Sequence, residues 1–252
     1  MICWMCNHSL ANSREHIFKK SDLTRVFGKG PFKGHNAVSH FKNGNENHIQ
    51  GADSKKLKYK SSLCEACNTT VTQPFDRAYD KFINYVYKNE ALILKKRFID
   101  FFEVYGESFE EEQRNLYKYY AKSFGCRLID AGSDVPSDVC DLFFKDSFNT
   151  NLRINFSVSE CLLSMPNKDR DGFCGKGDLD VLKDKKNSKK TNGYQWSEHV
   201  SWLYAHHWYR TTPDGKLGSI WIADNQFIYL GSIESDEKSL EYFERKIKNI
   251  LD

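Results

Sequence analysis

Apolar and polar positions alternate along this chain in three different ways. In QPFDRAYDKFINYVYK, Phe75, Tyr79, Phe82, Ile83 and Val86 recur every three or four residues, which predicts a helix with Pro74 in its first turn. EEQRNLYKYYAKSF repeats the pattern with Leu116, Tyr120 and Phe124 on one face. Ser108 and Glu111 make an S-x-x-E box ahead of it, and Gly125 marks its predicted end. A further short helix is expected after Pro136, over SDVCDLFF. NLRINFSVSECLL alternates with the period of a strand. VSWLYAHHWYRTTPDGKLGSIWIADNQFIYLGSI reads as a three-stranded antiparallel meander, with turns at Pro213-Asp214-Gly215 and Asp224-Asn225. EKSLEYFERKIKNIL would close it as an amphipathic helix with Leu240, Phe243 and Ile247 inward.

Between Lys19 and Lys60 no period is visible, and the Lys-, Gly-, Asn- and His-rich run reads as a long insertion or irregular loop. KDKKNSKKTNG, near 183–193, is a second basic loop, read first as solvated and alternatively as a phosphate contact. The pattern as a whole predicts an α+β protein. Residues 1–90 form one unit carrying the basic insertion 19–60, and residues 91–252 form an α+β accessory part that positions substrate, mediates self-association or regulates.

Charge changes this picture only locally. The chain carries a net +3, but residues 1–60 hold eleven Lys/Arg against four Asp/Glu, leaving the remainder near −4. A local excess of that kind is either a solvated loop or an electrostatic footprint for phosphates. No apolar run approaches the roughly twenty residues of a membrane span, and the N-terminus turns polar after six residues, so a cytoplasmic protein without a membrane partner is expected.

Of eight cysteines, four fall in two CxxC pairs, Cys3/Cys6 and Cys64/Cys67; Cys126, Cys140, Cys161 and Cys174 are scattered and read as small buried residues. Thiolates two residues apart on a tight knuckle reach one metal, and two knuckles complete a tetrahedral Cys₄ zinc site. Such a site has no open position and is structural. Beside the knuckles stand Glu15-His16 and Asn68. If zinc joins the knuckles, these three polar residues converge. A carboxylate and an amide oxygen suit Mg²⁺ or Mn²⁺, and histidine is the usual base at neutral pH. Asp76 lies eight residues past Asn68; it either approaches the same metal or is a first-turn acid favoured by the helix dipole. His35, His40 and His48 in the insertion are read either as metal or phosphate contacts or, in preference, as loop histidines that do neither, and His206-His207 in the strand region reads as non-catalytic.

The order CxxC, EHIF, LCxxCN over residues 1–90 resembles the zinc-containing HNH endonucleases, built on a ββα-metal finger. The resemblance implies His16 as general base, Glu15 as the acidic metal ligand, and Asn68 where the family's closing His or Asn completes the metal site. Cys3, Cys6, Cys64 and Cys67 would hold structural Zn²⁺, with Mg²⁺ or Mn²⁺ as the catalytic ion. Two positions depart from the family: Tyr59 stands where its central Asn is expected, and Lys19-Lys20 where many relatives have proline. The implied activity is metal-dependent cleavage of DNA, with RNA less favoured, in phage defence or restriction. The partners to expect are DNA and either a second copy or a regulatory protein. The alternatives are a zinc-stabilised nucleic-acid-binding protein without catalysis, and a scaffold or regulatory subunit of another protein.

Overall fold

The computed structural model describes residues 1–34, 37–42, 45–145, 147–166, 170, 174–211 and 220–234, and these form a mixed α+β structure. The segment expected to be irregular has elements of its own. Helix α1 (Lys20–Phe27) is followed by the hairpin β1 (Val38–Lys42) and β2 (Asn45–Ile49), then a single 3₁₀ turn at Lys55–Leu57. Leu23, Phe32, Ile49, Ala52 and Leu57 close over each other in a small separate core. They are too far apart in the chain to produce a period, which is why the sequence read as loop.

Helix α2 (Gln73–Lys88) follows its expectation, with Phe75, Tyr79, Phe82, Ile83 and Val86 all buried. The short elements α3 (Glu90–Lys96), β3 (Phe98–Asp100) and α4 (Phe101–Tyr105) lead to α5 (Phe109–Asp130), which packs along α2. Two expectations about α5 are corrected. Ser108 sits at the N-cap but its hydroxyl donates to the Tyr105 carbonyl at 3.2 Å, so no capping box forms. The helix also runs through Gly125 instead of stopping there. The Trp4 indole lies against that residue, and a Cβ at 125 would stand 2.6 Å from its Cη2. Glycine is needed for close approach, not termination. From Leu116 to Leu128 buried residues occupy every face of α5, Lys122 among them, as befits a central helix rather than a surface one. Gly125→Ala is expected to destabilise the protein by about 1–3 kcal/mol through overpacking. Denaturant unfolding measures it, and an unchanged midpoint would mean that the indole yields freely.

Helix α6 (Ser137–Phe144) forms after Pro136 as expected. The remaining elements are β4 (Leu152–Ser159), α7 (Glu160–Ser164), β5 (Cys174–Lys176), β6 (Asp180–Lys183), β7 (Thr191–Val200), β8 (Leu203–Arg210), β9 (Phe227–Tyr229) and β10 (Gly231–Ile233). The main sheet has the order β10-β4-β8-β7-β5, with β6 also on β7. The expected three-stranded meander is therefore not what forms. Strands β7 and β8 make a hairpin, but the other edge of β8 is taken by β4, which pairs with it from Leu152↔Tyr209 to Val158↔Leu203. The chain after Trp221 is divided among other partners: Trp221 bridges Ile154, β9 pairs with β3, and β10 runs parallel to β4. The long alternating register of β4 outcompetes a short third strand. The Pro213-Asp214-Gly215 turn, the helix predicted over Leu240, Phe243 and Ile247, and His35 lie outside the described residues.

The basic run 183–193 is the turn between β6 and β7, where Asp184 accepts hydrogen bonds from the amides of Lys186 and Asn187 and from the side chain of Asn192. On β8 the alternation turns His207 inward and leaves His206 partly exposed. His207 belongs to a buried charged cluster. Its Nε2 lies 3.0 Å from Glu198, whose other oxygen meets Lys176 Nζ at 2.6 Å, and Lys176 donates to Ser123 of α5 at 2.7 Å. Burial alone would raise the Glu198 carboxyl, but Lys176 and His207 hold its pKa down at about 2. One hydrophobic core continues from Cys3 and Trp4 through α2 and α5 to Trp221 and Leu230, crossing residue 90 without a break. Among the described residues no helix is long and apolar enough to cross a membrane.

Candidate metal centre and the strand beside it

Each CxxC forms a knuckle closed by its own backbone. The Asn7 amide donates to the Cys3 carbonyl at 2.9 Å, with Asn7 in the left-handed region at φ 55°, and the Asn68 amide donates to the Cys64 carbonyl at 3.0 Å. Folding brings the two knuckles together, and the four sulfurs of Cys3, Cys6, Cys64 and Cys67 lie within 4.8 Å of one another. Tetrahedral Zn–S bonds require sulfurs roughly 3.8 Å apart, and Cys6 Sγ and Cys64 Sγ are at 3.9 Å. The donor set thus fits a structural metal such as zinc. Burial opposes a thiolate at Cys6, yet the amides of His8 and Ser9 aim at its sulfur and bring its pKa down to about 6. Of the scattered cysteines, Cys126 accepts from the Ser62 hydroxyl at 3.6 Å and Cys140 donates to the Trp4 carbonyl at 3.3 Å, so these two serve packing.

The chain leaving the first knuckle is extended and pairs antiparallel with the chain entering the second. Ser13 bridges Leu63 and His16 bridges Lys58, with Ser13 N to Leu63 O at 2.8 Å, Tyr59 N to Glu15 O at 2.9 Å and Ile17 N to Leu57 O at 2.7 Å. After Leu63 the second strand runs straight into Cys64, a π-helical turn over Cys67–Val71, and α2. Tyr59 is buried within this pair.

Side chains on an extended segment alternate between faces, and the candidates divide accordingly. Ser13 and Glu15 meet one environment. The Asn68 side-chain amide donates to Ser13 Oγ at 2.9 Å, while Asn68 Oδ1 is buried with no hydrogen-bond partner among the described residues. The Glu15 carboxylate lies 3.1 Å from Lys122 Nζ. His16 meets another environment, its Nε2 being 3.1 Å from Asp53, which also binds Lys58 at 2.8 Å and Lys20 at 3.6 Å. Burial pushes the His16 pKa below the ordinary histidine value. Glu15 and Asp53 pull it up and Lys58 and Lys122 push it down, and the balance stays on the low side. At neutral pH the ring is neutral and can accept a proton.

Asp76, in the first turn of α2, is drawn to the Glu15 side. Lys122 Nζ lies 3.3 and 3.4 Å from its two oxygens, and Lys19 Nζ lies 2.7 Å from its carbonyl and 3.3 Å from Oδ1. Lys19 also reaches Asp80 at 3.3 Å. The structure therefore gathers Glu15, Asp76 and Lys122 directly, adds Asn68 through Ser13, and aims His16 at Asp53 instead. Glu15 and Asn68 as placed do not fit a divalent ion, because a buried ammonium already holds the carboxylate. Among the described residues the four cysteines are the one cluster of three or more His, Cys, Asp or Glu at ligand spacing.

Two participants escaped the sequence reading. Asp53 sits in an unremarkable GADSKK turn, and Lys122 lies in a helix where a lysine normally signals a solvated face. His40 packs edge-on against Phe18, and His48 Nδ1 is 3.4 Å from Ser39 Oγ, both away from the cysteine cluster's hydrogen bonds. No family model, curated protein or solved structure matches the chain.

Proposed function

We propose that this chain is an HNH-type endonuclease acting on DNA, with His16 as its general base. The observation that carries the reading is the strand pair Ser13–Ile17 with Leu57–Leu63. It presents Glu15-His16 between two cysteine knuckles and passes directly into the helical segment bearing Asn68. Asp53 orients the ring through Nε2, which leaves Nδ1 as the atom that takes a proton from water. The oxygen of that water attacks the phosphorus. The P–O3′ bond breaks, the 3′-oxygen takes a proton from solvent, and the ends are a 5′-phosphate and a 3′-hydroxyl. Mg²⁺ or Mn²⁺, when bound in such chemistry, stabilises charge on the phosphate.

Lys29, Lys33, Lys55 and Lys56 are exposed on the 19–60 segment and supply contacts to a nucleic-acid backbone without reading bases. A second reading, a metal-stabilised nucleic-acid binder without catalysis, is favoured by the neutralisation of Glu15 by Lys122. One assay separates the two. Supercoiled plasmid is incubated with wild type or His16→Ala, with Mg²⁺ or Mn²⁺. Nicking by wild type that disappears in the variant is expected. Nicking unchanged in the variant removes His16 as the base, and wild type that binds but cuts neither DNA nor RNA leaves the binding reading.

A further inference from the structure

We propose that the Lys122 ammonium is the resident cation of the Glu15–Asp76 carboxylate pair, and that it keeps divalent ions out of that position. This rests on the nuclease reading only in taking Glu15 as the acid beside the base.

Three observations meet here. Lys122 sits in the middle of α5 with only 2% of its side chain exposed, so its charge has no water to fall back on. Its Nζ lies within 3.1 Å of Glu15 Oε2 and within 3.3 and 3.4 Å of both Asp76 oxygens, contacting carboxylates from two separate elements. Lys19 adds a second ammonium on Asp76, 3.3 Å from Oδ1, held over the rings of Tyr79 and Tyr119 at 5.1 Å from each centroid.

Burying an ammonium is costly unless opposite charge and hydrogen bonds compensate it. Here they do so amply. Burial works to lower the Lys122 pKa, but Glu15 and Asp76 outweigh it and raise the group above the ordinary lysine range. The same two acids would otherwise repel each other in a site of low dielectric, and a divalent ion is the usual remedy. An ion entering now would have to displace a buried ammonium or share its carboxylates with it, and two like charges so close in a dry site repel strongly. Lys122 also comes from beyond residue 90, so the accessory part supplies the ammonium that the Glu15 carboxylate meets.

The test is a Mn²⁺ titration of the full-length, zinc-loaded chain followed by electron paramagnetic resonance, in which free Mn²⁺ is counted directly. Mn²⁺ does not compete for the thiolate site, which prefers softer metals. Wild type and Glu15→Gln are expected to bind Mn²⁺ alike. Lys122→Met is expected to bind one ion at least about tenfold more tightly than wild type, since removing the ammonium frees the Glu15 carboxylate and leaves Asp76 with Lys19 alone. Lys122→Met/Glu15→Gln should lose that gain. The proposal is overturned if wild type binds an ion that Glu15→Gln abolishes, or if folded Lys122→Met binds no better than wild type. Should Lys122→Met fail to fold, the comparison of wild type with Glu15→Gln decides alone. No nucleic acid enters the measurement, so its outcome is independent of whether the chain cuts DNA.

Discussion

Replacing Cys64 by Ser is expected to cost the chain its bound metal and with it the folded N-terminal unit. Cys3, Cys64 and Cys67 are buried inside the main hydrophobic core, next to Trp4, Leu63 and Phe75. Besides the metal, only single hydrogen bonds join the two knuckles among the described residues, such as Trp4 N to Ser62 O at 3.2 Å and Glu65 N to Asn12 Oδ1 at 3.0 Å. Residues 1–18 contain only isolated bridges, and two of them, Ser13 with Leu63 and His16 with Lys58, reach across about forty or more residues of intervening chain. In zinc-finger peptides the metal contributes about 10–16 kcal/mol, comparable to or larger than the whole stability of an ordinary domain, about 5–15 kcal/mol. Removing one thiolate leaves three others crowded in a low-dielectric site. Purified wild type is expected to carry one zinc per chain. Cys64→Ser should carry none and lose the near-ultraviolet signal of Trp4, which packs edge-on to Phe143 at 5.6 Å. A variant with full metal content and an unchanged unfolding midpoint would rule out the Cys₄ centre.

The second large effect concerns rate. If His16 is the base, His16→Ala should lower plasmid cleavage by about 10²–10⁴-fold, the usual contribution of a positioned general base, while leaving DNA affinity nearly intact. The pH dependence has a definite sign. The folded His16 pKa lies below the ordinary histidine value of 6.5, so the neutral, active ring persists below neutrality and is lost as pH falls through the depressed folded value. The same shift makes the neutral ring's contribution to stability complete above the unfolded value and lost as pH drops toward the folded one. Lys58 is one of the charges pushing the value down. Lys58→Met is therefore expected to move the acid limb of the rate profile to higher pH. A limb that stays in place in Lys58→Met, or that survives in His16→Ala, would assign it to another group.

What could be read in advance followed from how local each signal is. The two CxxC pairs were legible because a knuckle is fixed by four consecutive residues, and α2 because one buried face imposes a clean period. Helix α5 was half legible: burial on every side blurs its period, and Gly125 imitates a terminator because the Trp4 ring that needs it lies more than a hundred residues away. The small core under the 19–60 segment left no local trace at all.

At the site, the alternation of an extended strand could have warned that adjacent Glu15 and His16 take different partners, Lys122 and Asp53. Asn68 shares the environment of Ser13 and Glu15, not the Asp53 side to which His16 turns. Lys122 was invisible because a buried lysine and a solvated one look the same in sequence. Only the arrival of Glu15 and Asp76 from two other segments distinguishes them.

The placement of Lys122 and Gly125 on one helix bears on how this protein can be recombined. Residues 1–90 resemble a cassette that could be cut out and grafted onto another carrier. Grafted alone, they would bring Glu15 without its counter-ion, Asp76 with Lys19 as its partner, and an indole without its floor. Any exchange that preserves the unit's chemistry has to carry α5 along, and with it the sheet residues that share its core, among them Phe156, His207 and Tyr209. A fusion ending before Phe109 would instead leave the Glu15 carboxylate open to whatever cation the new host supplies.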